Sequence, residues 1–236
     1  MKNKFKNIEI YLDGPSDLEI KKLNSRMIKG YTYNPSLMSN LKIKNYLNAC
    51  KKFSKKVSPK KISLEVFADD EQSMIRQALI LSKINKNIYV KIPITFTNGK
   101  YTSNVIKELK SKKIKLNITA IFSLKQVKKI LPIIKNSNSI LSIFAGRIHD
   151  MGESATDEIK KISKYLKRNN SNCKILWAST RQIYDIIMAK NCGCHIITMG
   201  PSIYSKIKNF KKDWKSFSLE TVKTFHADAL KSKFKI

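Results

Sequence analysis

A lysine stands inside a segment that otherwise has the pattern of a buried β-strand. In YVKIPIT (89–95), Val90, Ile92 and Ile94 form one apolar face, and Lys91 points to the opposite face. A lysine in a partly dry pocket loses its proton more readily than one in water, because burial disfavours the charged form. A neutral lysine amine can attack a carbonyl carbon and form a Schiff base. The segment therefore indicates carbonyl chemistry at Lys91.

Polar residues occupy the corresponding face of three other strand-like segments. They are Asp13 in IEIYLDG (8–14), Glu65 in ISLEVF (62–67), and Asn117 and Thr119 in KLNITAI (115–121). Burying such groups costs free energy unless they pair, so packing alone does not explain them. A carboxylate can take the proton of a hydroxyl group when a carbon–carbon bond next to a Schiff base breaks. Together with Lys91, these residues predict a catalytic site.

A second group of polar residues follows the later strand-like segments. Arg147 and Arg181 lie just past the sixth and seventh segments, and Ser179 stands two positions before Arg181. The guanidinium fork of arginine matches the oxygens of a phosphate group. These three residues therefore predict a phosphate-binding site. Asn34 and Ser142 are further polar candidates near strand ends.

The elements that must position these residues are β-rich segments separated by amphipathic ones. The β-rich segments are 8–14, 30–34, 62–67, 89–95, 115–121, 140–146, 173–179 and 195–200. Strands that alternate with helices favour a parallel sheet, and eight such units favour a closed barrel. An open doubly wound sheet is the alternative, but no G-x-G-x-x-G motif follows the first segment.

We therefore expect the α/β fold class. The prediction is a single (β/α)8 TIM barrel over residues 1–210, with a C-terminal helical extension at 211–236 that is not a separate domain. In such a barrel the polar faces of the strands meet in the lumen, and active sites form near the carboxyl ends of the strands.

The composition and charge of the chain indicate which partners and which cellular location to expect. The net charge is +30, but the lysines are dispersed over the predicted helices and no zinc-finger, RNA-recognition or basic-zipper pattern occurs, so nucleic acid is not the expected partner. No segment approaches the roughly 20 apolar residues that span a bilayer, and the first residues lack a signal-peptide pattern. We expect a cytoplasmic protein. The four cysteines and three histidines lack metal-ligand spacing, which predicts no metal.

Short motifs follow one another near the ends of the successive strand-like segments. They are YLDG, GYTYNPSL, LEVF, VKIPIT, NITAIFS, SIFAGRI and ASTRQ. In this order they resemble the transaldolase family, and in particular its short, fructose-6-phosphate aldolase-like members. The resemblance implies a class I aldolase-type barrel that moves a dihydroxyacetone unit between sugar phosphates without a cofactor.

The resemblance also implies a role for each polar position. Lys91 would form the Schiff base, and Asp13 would act as acid and base on the substrate hydroxyl group. Glu65 and Thr119 would hold the water that transfers protons while the Schiff base forms. The implied substrate-binding residues are Asn34, Ser36, Asn117, Ser142 and Phe144, with Arg147, Ser179 and Arg181 gripping the phosphate.

Two positions favour a transaldolase over the fructose-6-phosphate aldolases of the same family, which remain the alternative. The aldolases typically carry Gln where this chain has Glu65 and Tyr where it has Phe144. A phenol beside the Schiff base could hold a hydrolytic water, and Phe144 cannot. The expected reaction converts sedoheptulose 7-phosphate and glyceraldehyde 3-phosphate into erythrose 4-phosphate and fructose 6-phosphate, in the pentose phosphate pathway. A third hypothesis, from another class, is a non-catalytic barrel that binds polyanions through its net charge of +30.

The chain departs from the family pattern at two further positions, and its tail raises the question of assembly. Tyr33 stands where the family usually has Thr, and Ile143 where longer members often have Pro. In the tail, Trp214 and Phe225 are among the apolar residues that could pack on the barrel or on a neighbouring copy. The resemblance implies a homo-oligomer formed through the C-terminal helix.

Overall fold

The computed structural model describes residues 5–23 and 25–235, and within them eight parallel strands form a closed barrel. The strands are β1 (Glu9–Asp13), β2 (Ile28–Thr32), β3 (Lys61–Glu65), β4 (Ile88–Pro93), β5 (Leu116–Ile121), β6 (Ile140–Ile143), β7 (Lys174–Trp177) and β8 (Ile196–Met199). Neighbours pair in chain order, and β8 pairs with β1 to close the barrel. The predicted (β/α)8 barrel is confirmed.

Helices connect the strands and surround the barrel. They are α1 (Asp17–Lys22), α2 (Pro35–Asn40), α3 (Tyr46–Val57), α4 (Glu71–Ser82), α5 (Ser103–Ser111), α6 (Leu124–Ile134), α7 (Ala145–Asp150), α8 (Ala155–Arg168), α9 (Asp185–Cys192) and α10 (Pro201–Ser205). A 3₁₀ helix (Lys206–Lys211) leads into α11 (Trp214–Ser232). Several helices begin at a polar side chain that accepts a hydrogen bond from an otherwise unpaired N–H group, as Ser16, Asp70 and Ser123 do.

Strand alternation divides the buried side chains into two layers, as the sequence predicted. The apolar faces of the strands, such as Val90, Ile92 and Ile94 on β4, belong to the outer core that also contains buried helix residues. The lumen holds a smaller apolar cluster made of Tyr11, Ile140, Leu176, Ala178 and Ile196. The polar side chains that oppose the outer core therefore point inward, where most of them are buried.

A charged cluster lies at the amino-terminal end of the lumen. Glu9 accepts hydrogen bonds from Lys61 and Lys174, each at 3.0 Å, and from the hydroxyl group of Tyr11 at 3.3 Å. Burial alone would raise the pKa of Glu9, but the hydrogen bonds from the two lysines outweigh it, and the pKa lies below its ordinary value. Glu9 shares a strand face with Asp13 but pairs with Lys61 and Lys174.

The extent of β2 differs from the prediction of 30–34, which was wrong. The strand runs from Ile28 to Thr32, and within it Gly30 lies against the ring of Tyr11, where a Cβ atom would stand 2.6 Å from the ring carbon Cζ. Asn34 therefore follows the strand and caps α2 instead.

Helix α11 exposes its apolar side chains. Trp214 is 94% exposed and Phe225 is 69% exposed, so these residues do not pack on their own barrel. Among residues 5–23 and 25–235, no helix is both long and apolar enough to cross a membrane.

Candidate active site

Lys91 lies in the lumen and forms a buried ion pair with Glu65. The Nζ atom of Lys91 is 2.7 Å from Oε2 of Glu65. The register of β3 and β4 pairs these two residues directly, which brings their side chains together on one face. Lys91 is only 5% exposed. Its amine is thus nearly buried and held by the carboxylate of Glu65, which could exchange a proton with it.

Two threonines connect β8 and β2 to the carboxyl group of Asp13. The hydroxyl group of Thr32 donates to Oδ1 of Asp13 at 2.5 Å, and the hydroxyl oxygens of Thr32 and Thr198 lie 2.6 Å apart. Because a hydroxyl group has one proton, Thr198 is the donor to Thr32. Burial raises the pKa of Asp13 above its ordinary value, although Lys91 and the Thr32 hydrogen bond act to lower it. A carboxyl group whose pKa is raised is suited to acid–base catalysis.

Asn117 joins the polar groups of three strands. Its Nδ2 atom donates to Ser63 at 3.0 Å, and its Oδ1 atom accepts from Ser142 at 2.6 Å. The neighbouring lumen residue on β5 is Thr119, which is 1% exposed and whose hydroxyl group has no hydrogen-bond partner among the described residues. A buried hydroxyl group without a partner is available to a bound molecule.

A glycine brings the start of α7 against the loop that follows β7. A Cβ atom at Gly146 would lie 1.6 Å from the carbonyl oxygen of Ser179, so the approach of the two segments requires glycine. Arg147, the next residue, and Ser179 line the same cavity. Their guanidinium and hydroxyl groups together form a donor set suited to an anion.

These side chains meet at a cavity of about 120 Å³ among the carboxyl ends of the strands. Its lining is Asp13, Thr32, Asn34, Lys91, Thr119, Ser142, Phe144, Arg147, Ala178, Ser179 and Thr198. The cavity therefore combines an amine, a carboxyl group of raised pKa, several hydroxyl groups and a guanidinium. This set can capture a carbonyl carbon, move a proton near it and hold a negatively charged group.

Most of the residues predicted for the site lie at this cavity or directly behind it. Glu65 and Asn117 contact lining residues through the ion pair with Lys91 and the hydrogen bond to Ser142. Ser36 and Arg181 are not among the described lining residues. Ser36 is exposed on α2, and Arg181 is half exposed and bound to Asp150.

Sequence reasoning missed Ser63, Thr32 and Thr198. Thr198 could have been found, because it alternates with the outer-core residues Ile197 and Met199 in HIITMG. Thr32 could also have been found, because it stands inside the predicted segment 30–34 on the same face as Asn34. Ser63 stood on the polar face of its segment but has no chemistry of its own to single it out.

Histidines and cysteines stand apart from the cavity lining. The four cysteines are buried and unbridged. His149 packs edge-on against Trp177, and His195 accepts a hydrogen bond from the backbone of Ile175. Among the described residues, no group of three or more His, Cys, Asp or Glu side chains is placed to hold a metal ion.

The fold and the site define an aldolase-type barrel with a buried lysine, and the comparisons agree. The sequence profile of the transaldolase/fructose-6-phosphate aldolase family matches residues 10–236. A protein named probable transaldolase from Clostridioides difficile (strain 630) is 32% identical over 224 residues, which cover 90% of this chain and 100% of that protein. Another of the same name, from Thermoanaerobacter sp. (strain X514), is 31% identical over the same shares.

A solved structure shows the same fold at low identity. A Coccidioides immitis protein assigned as a deoxyribose-phosphate aldolase superposes with a TM-score of 0.60 at 7% identity, covering 85% of this chain and 84% of that one. The chain belongs to the transaldolase/fructose-6-phosphate aldolase family.

Proposed function

We propose that the protein is a transaldolase that forms a Schiff base between Lys91 and the carbonyl carbon of a ketose phosphate. The observation that carries the proposal is the placement of Lys91, which is 5% exposed, lies 2.7 Å from Glu65 and faces the cavity that Asp13 also lines. Glu65 is close enough to take the ammonium proton of Lys91. The neutral amine is then a nucleophile for a carbonyl carbon.

In the proposed cycle the amine of Lys91 adds to the C2 carbonyl of fructose 6-phosphate, and a water molecule leaves to give an iminium. The C3–C4 bond breaks as its electrons move into the iminium, while Asp13 takes the proton of the C4 hydroxyl group and glyceraldehyde 3-phosphate leaves. The dihydroxyacetone enamine stays bound to Lys91. It attacks the aldehyde carbon of erythrose 4-phosphate, Asp13 returns its proton to the new hydroxyl group, and hydrolysis releases sedoheptulose 7-phosphate.

The neighbours of Lys91 support assigned roles for the rest of the site. The unpaired hydroxyl group of Thr119 can bind the water that transfers protons while the Schiff base forms and that later hydrolyses it. Asn34 and Ser142 line the same cavity, and we assign them to the dihydroxyacetone unit. Arg147 and Ser179 supply donors for a phosphate group.

Phe144 supports transfer rather than simple cleavage. It lines the cavity and packs near Phe122, with ring centroids 6.0 Å apart. A phenyl ring has no hydroxyl group that could deliver a proton to the enamine carbon, so the intermediate waits for an aldehyde acceptor. With a tyrosine at this position and glutamine at Glu65, release of free dihydroxyacetone would be favoured.

Borohydride trapping tests the Schiff base. The protein is reduced with sodium borohydride in the presence of fructose 6-phosphate and its peptides are analysed by mass spectrometry. We expect a dihydroxyacetone adduct on Lys91 that is lost in Lys91→Ala. Lys61→Ala is the matched control, because Lys61 also pairs with a lumen carboxylate, Glu9, and this variant should keep the adduct. An unmodified Lys91 at saturating substrate would overturn the proposal.

A second measurement separates the transaldolase from the fructose-6-phosphate aldolase. Erythrose 4-phosphate is added with fructose 6-phosphate, and sedoheptulose 7-phosphate and free dihydroxyacetone are quantified together. We expect the transfer product to form much faster than dihydroxyacetone. The variant Glu65→Gln with Phe144→Tyr should shift the ratio towards dihydroxyacetone. Faster release than transfer in the unmodified protein would favour the aldolase.

We also propose that the protein assembles as a homo-oligomer through α11. The exposed side chains of Trp214 and Phe225 support this, since large apolar residues at a surface commonly mark a protein interface.

A further inference from the structure

We propose that Asp150 sets the affinity of the site for phosphorylated substrates by holding Arg181 away from the cavity. The inference rests on the proposed function, because it concerns the phosphate end of the same site. Arg181 donates from Nε to Oδ1 of Asp150 at 3.3 Å, and its Nη2 atom contacts Oδ2. Both side chains are 51% exposed. The guanidinium is therefore engaged outside the cavity that Arg147 and Ser179 line.

The carboxylate that holds Arg181 lies one helical turn from Arg147. Asp150 and Arg147 are three residues apart on α7, so their side chains share one side of the helix, with Cβ atoms about 5–6 Å apart. Arg147 also lines the cavity. A phosphate bound to Arg147 would thus lie within reach of the Arg181 side chain after rotation about its own bonds.

The backbone at Arg181 is fixed, which restricts the change to the side chain. Asp185, which is 1% exposed, accepts hydrogen bonds from the backbone N–H of Arg181 at 2.9 Å and from that of Gln182 at 3.4 Å. The hydroxyl group of Thr180 donates to the carbonyl oxygen of Thr198 at 2.6 Å. The loop is thus tied on both sides of the residue, and an exchange of partners needs no loop movement.

The exchange is favourable because the contact that must break is weak. Ion pairs between half-exposed side chains contribute little, since water and salt screen them. A phosphate dianion that already contacts Arg147 offers Arg181 a larger negative charge than the carboxylate of Asp150. Substrate therefore competes with Asp150 for Arg181, and the competition weakens apparent binding by a factor of about two to five.

A double-mutant cycle on KM for fructose 6-phosphate tests the competition. The variants are Asp150→Asn, Arg181→Gln and the two combined, with Asp157→Asn as a control that changes the net charge equally. Asp157 is an exposed residue of α8 paired with Lys160. We expect Asp150→Asn to lower KM by about two- to fivefold and Asp157→Asn to leave KM unchanged. In a protein that already carries Arg181→Gln, adding Asp150→Asn should not change KM.

Two results would overturn the proposal. A higher KM in Asp150→Asn would mean that Asp150 orients Arg181 for binding rather than withholding it. If Asp150→Asn lowers KM equally when Arg181→Gln is also present, the effect comes from the negative charge of Asp150 and not from its contact with Arg181. The borohydride adduct on Lys91 is measured in each variant. If the adduct forms in all of them but KM does not follow this pattern, the role of Asp150 fails alone, whereas absence of the adduct from the unmodified protein means that the proposed function fails.

Discussion

Glu65 and Lys91 occupy directly paired positions on β3 and β4, and their charged atoms lie 2.7 Å apart at a place where Lys91 is 5% exposed. A variant Glu65→Ala leaves the lysine charge buried without its partner. We expect the free energy of unfolding to fall by about 3 kcal/mol, measured by chemical denaturation at neutral pH.

The matched control replaces both charges. In the variant Glu65→Leu with Lys91→Met, no charge is left uncompensated, so most of the lost stability should return even though activity is absent. If Glu65→Ala is as stable as the unmodified protein, water or a rearranged neighbouring group compensates the charge of Lys91.

Asp13 should make stability depend on pH in an unusual direction. Burial raises the pKa of Asp13, so the folded protein binds this proton more tightly than the unfolded chain. The stabilisation is complete below the unfolded pKa of about 3.9 and is lost as the pH rises through the folded pKa. Asp13→Asn cannot ionise. The difference in unfolding free energy, unmodified protein minus variant, should therefore decrease across that window and stay constant above it.

Urea titrations of both proteins at a series of pH values measure this difference. A difference that increases with pH would mean that Lys91 and Thr32 outweigh burial at the carboxyl group. The same variant should lower kcat by about 10²- to 10⁴-fold, because an amide cannot take the substrate proton.

The hydrogen bond from Thr32 to Asp13 should set the pH at which kcat/KM falls on the acid side of the pH–rate profile. Thr32→Val removes a donor that favours the ionised form of Asp13, so the pKa of Asp13 should increase further. The limb of kcat/KM that reports ionised Asp13 should move to higher pH, and rates along it should fall by about tenfold or more. Thr32→Ser keeps the hydroxyl group and should leave the limb in place. Equal shifts in both variants would point to packing of the methyl group instead.

Residues whose position depends on strand alternation were predictable, and residues placed by tertiary contacts were not. Lys91, Asp13 and Asn117 follow from a period of two within single segments, which is visible in the sequence. The limits of β2 were less predictable, because the strand begins at Ile28 and ends at Thr32, which leaves Asn34 to cap α2.

Arg181 shows a second limit of the same kind. Its type and its place after a strand favoured phosphate binding, and the sequence contains nothing that reveals its pairing with Asp150. That contact joins α7 to the loop after β7, two segments that only the closed barrel brings together. The alternation of side chains along a strand predicts which face a strand residue occupies. It does not predict which residue a long side chain in a loop will contact.

Removing large apolar groups from α11 should weaken assembly without unfolding the barrel. Trp214 and Phe225 are 94% and 69% exposed, so the variant Trp214→Ser with Phe225→Ser breaks no core contact. We expect light scattering after size-exclusion chromatography to show an oligomer for the unmodified protein and smaller species for the variant, with unfolding free energies of the separated chains within about 0.5 kcal/mol. Lys215→Ser is a control on the same helix. A single-chain mass for the unmodified protein would contradict the proposed assembly.

Replacing Gly146 should lower both the stability of the protein and its affinity for the phosphate group. In Gly146→Ala the new methyl group would meet the carbonyl oxygen of Ser179 at 1.6 Å, so α7 and the loop after β7 must separate. Overpacking of this kind costs about 1–3 kcal/mol of unfolding free energy. It also moves Arg147 away from Ser179, so KM for fructose 6-phosphate should rise more than kcat falls. Gly200→Ala is the matched control, because its Cβ would meet nothing within 4 Å, and it should leave KM unchanged. An unchanged KM in Gly146→Ala would show that phosphate binding does not depend on the close approach of Arg147 and Ser179.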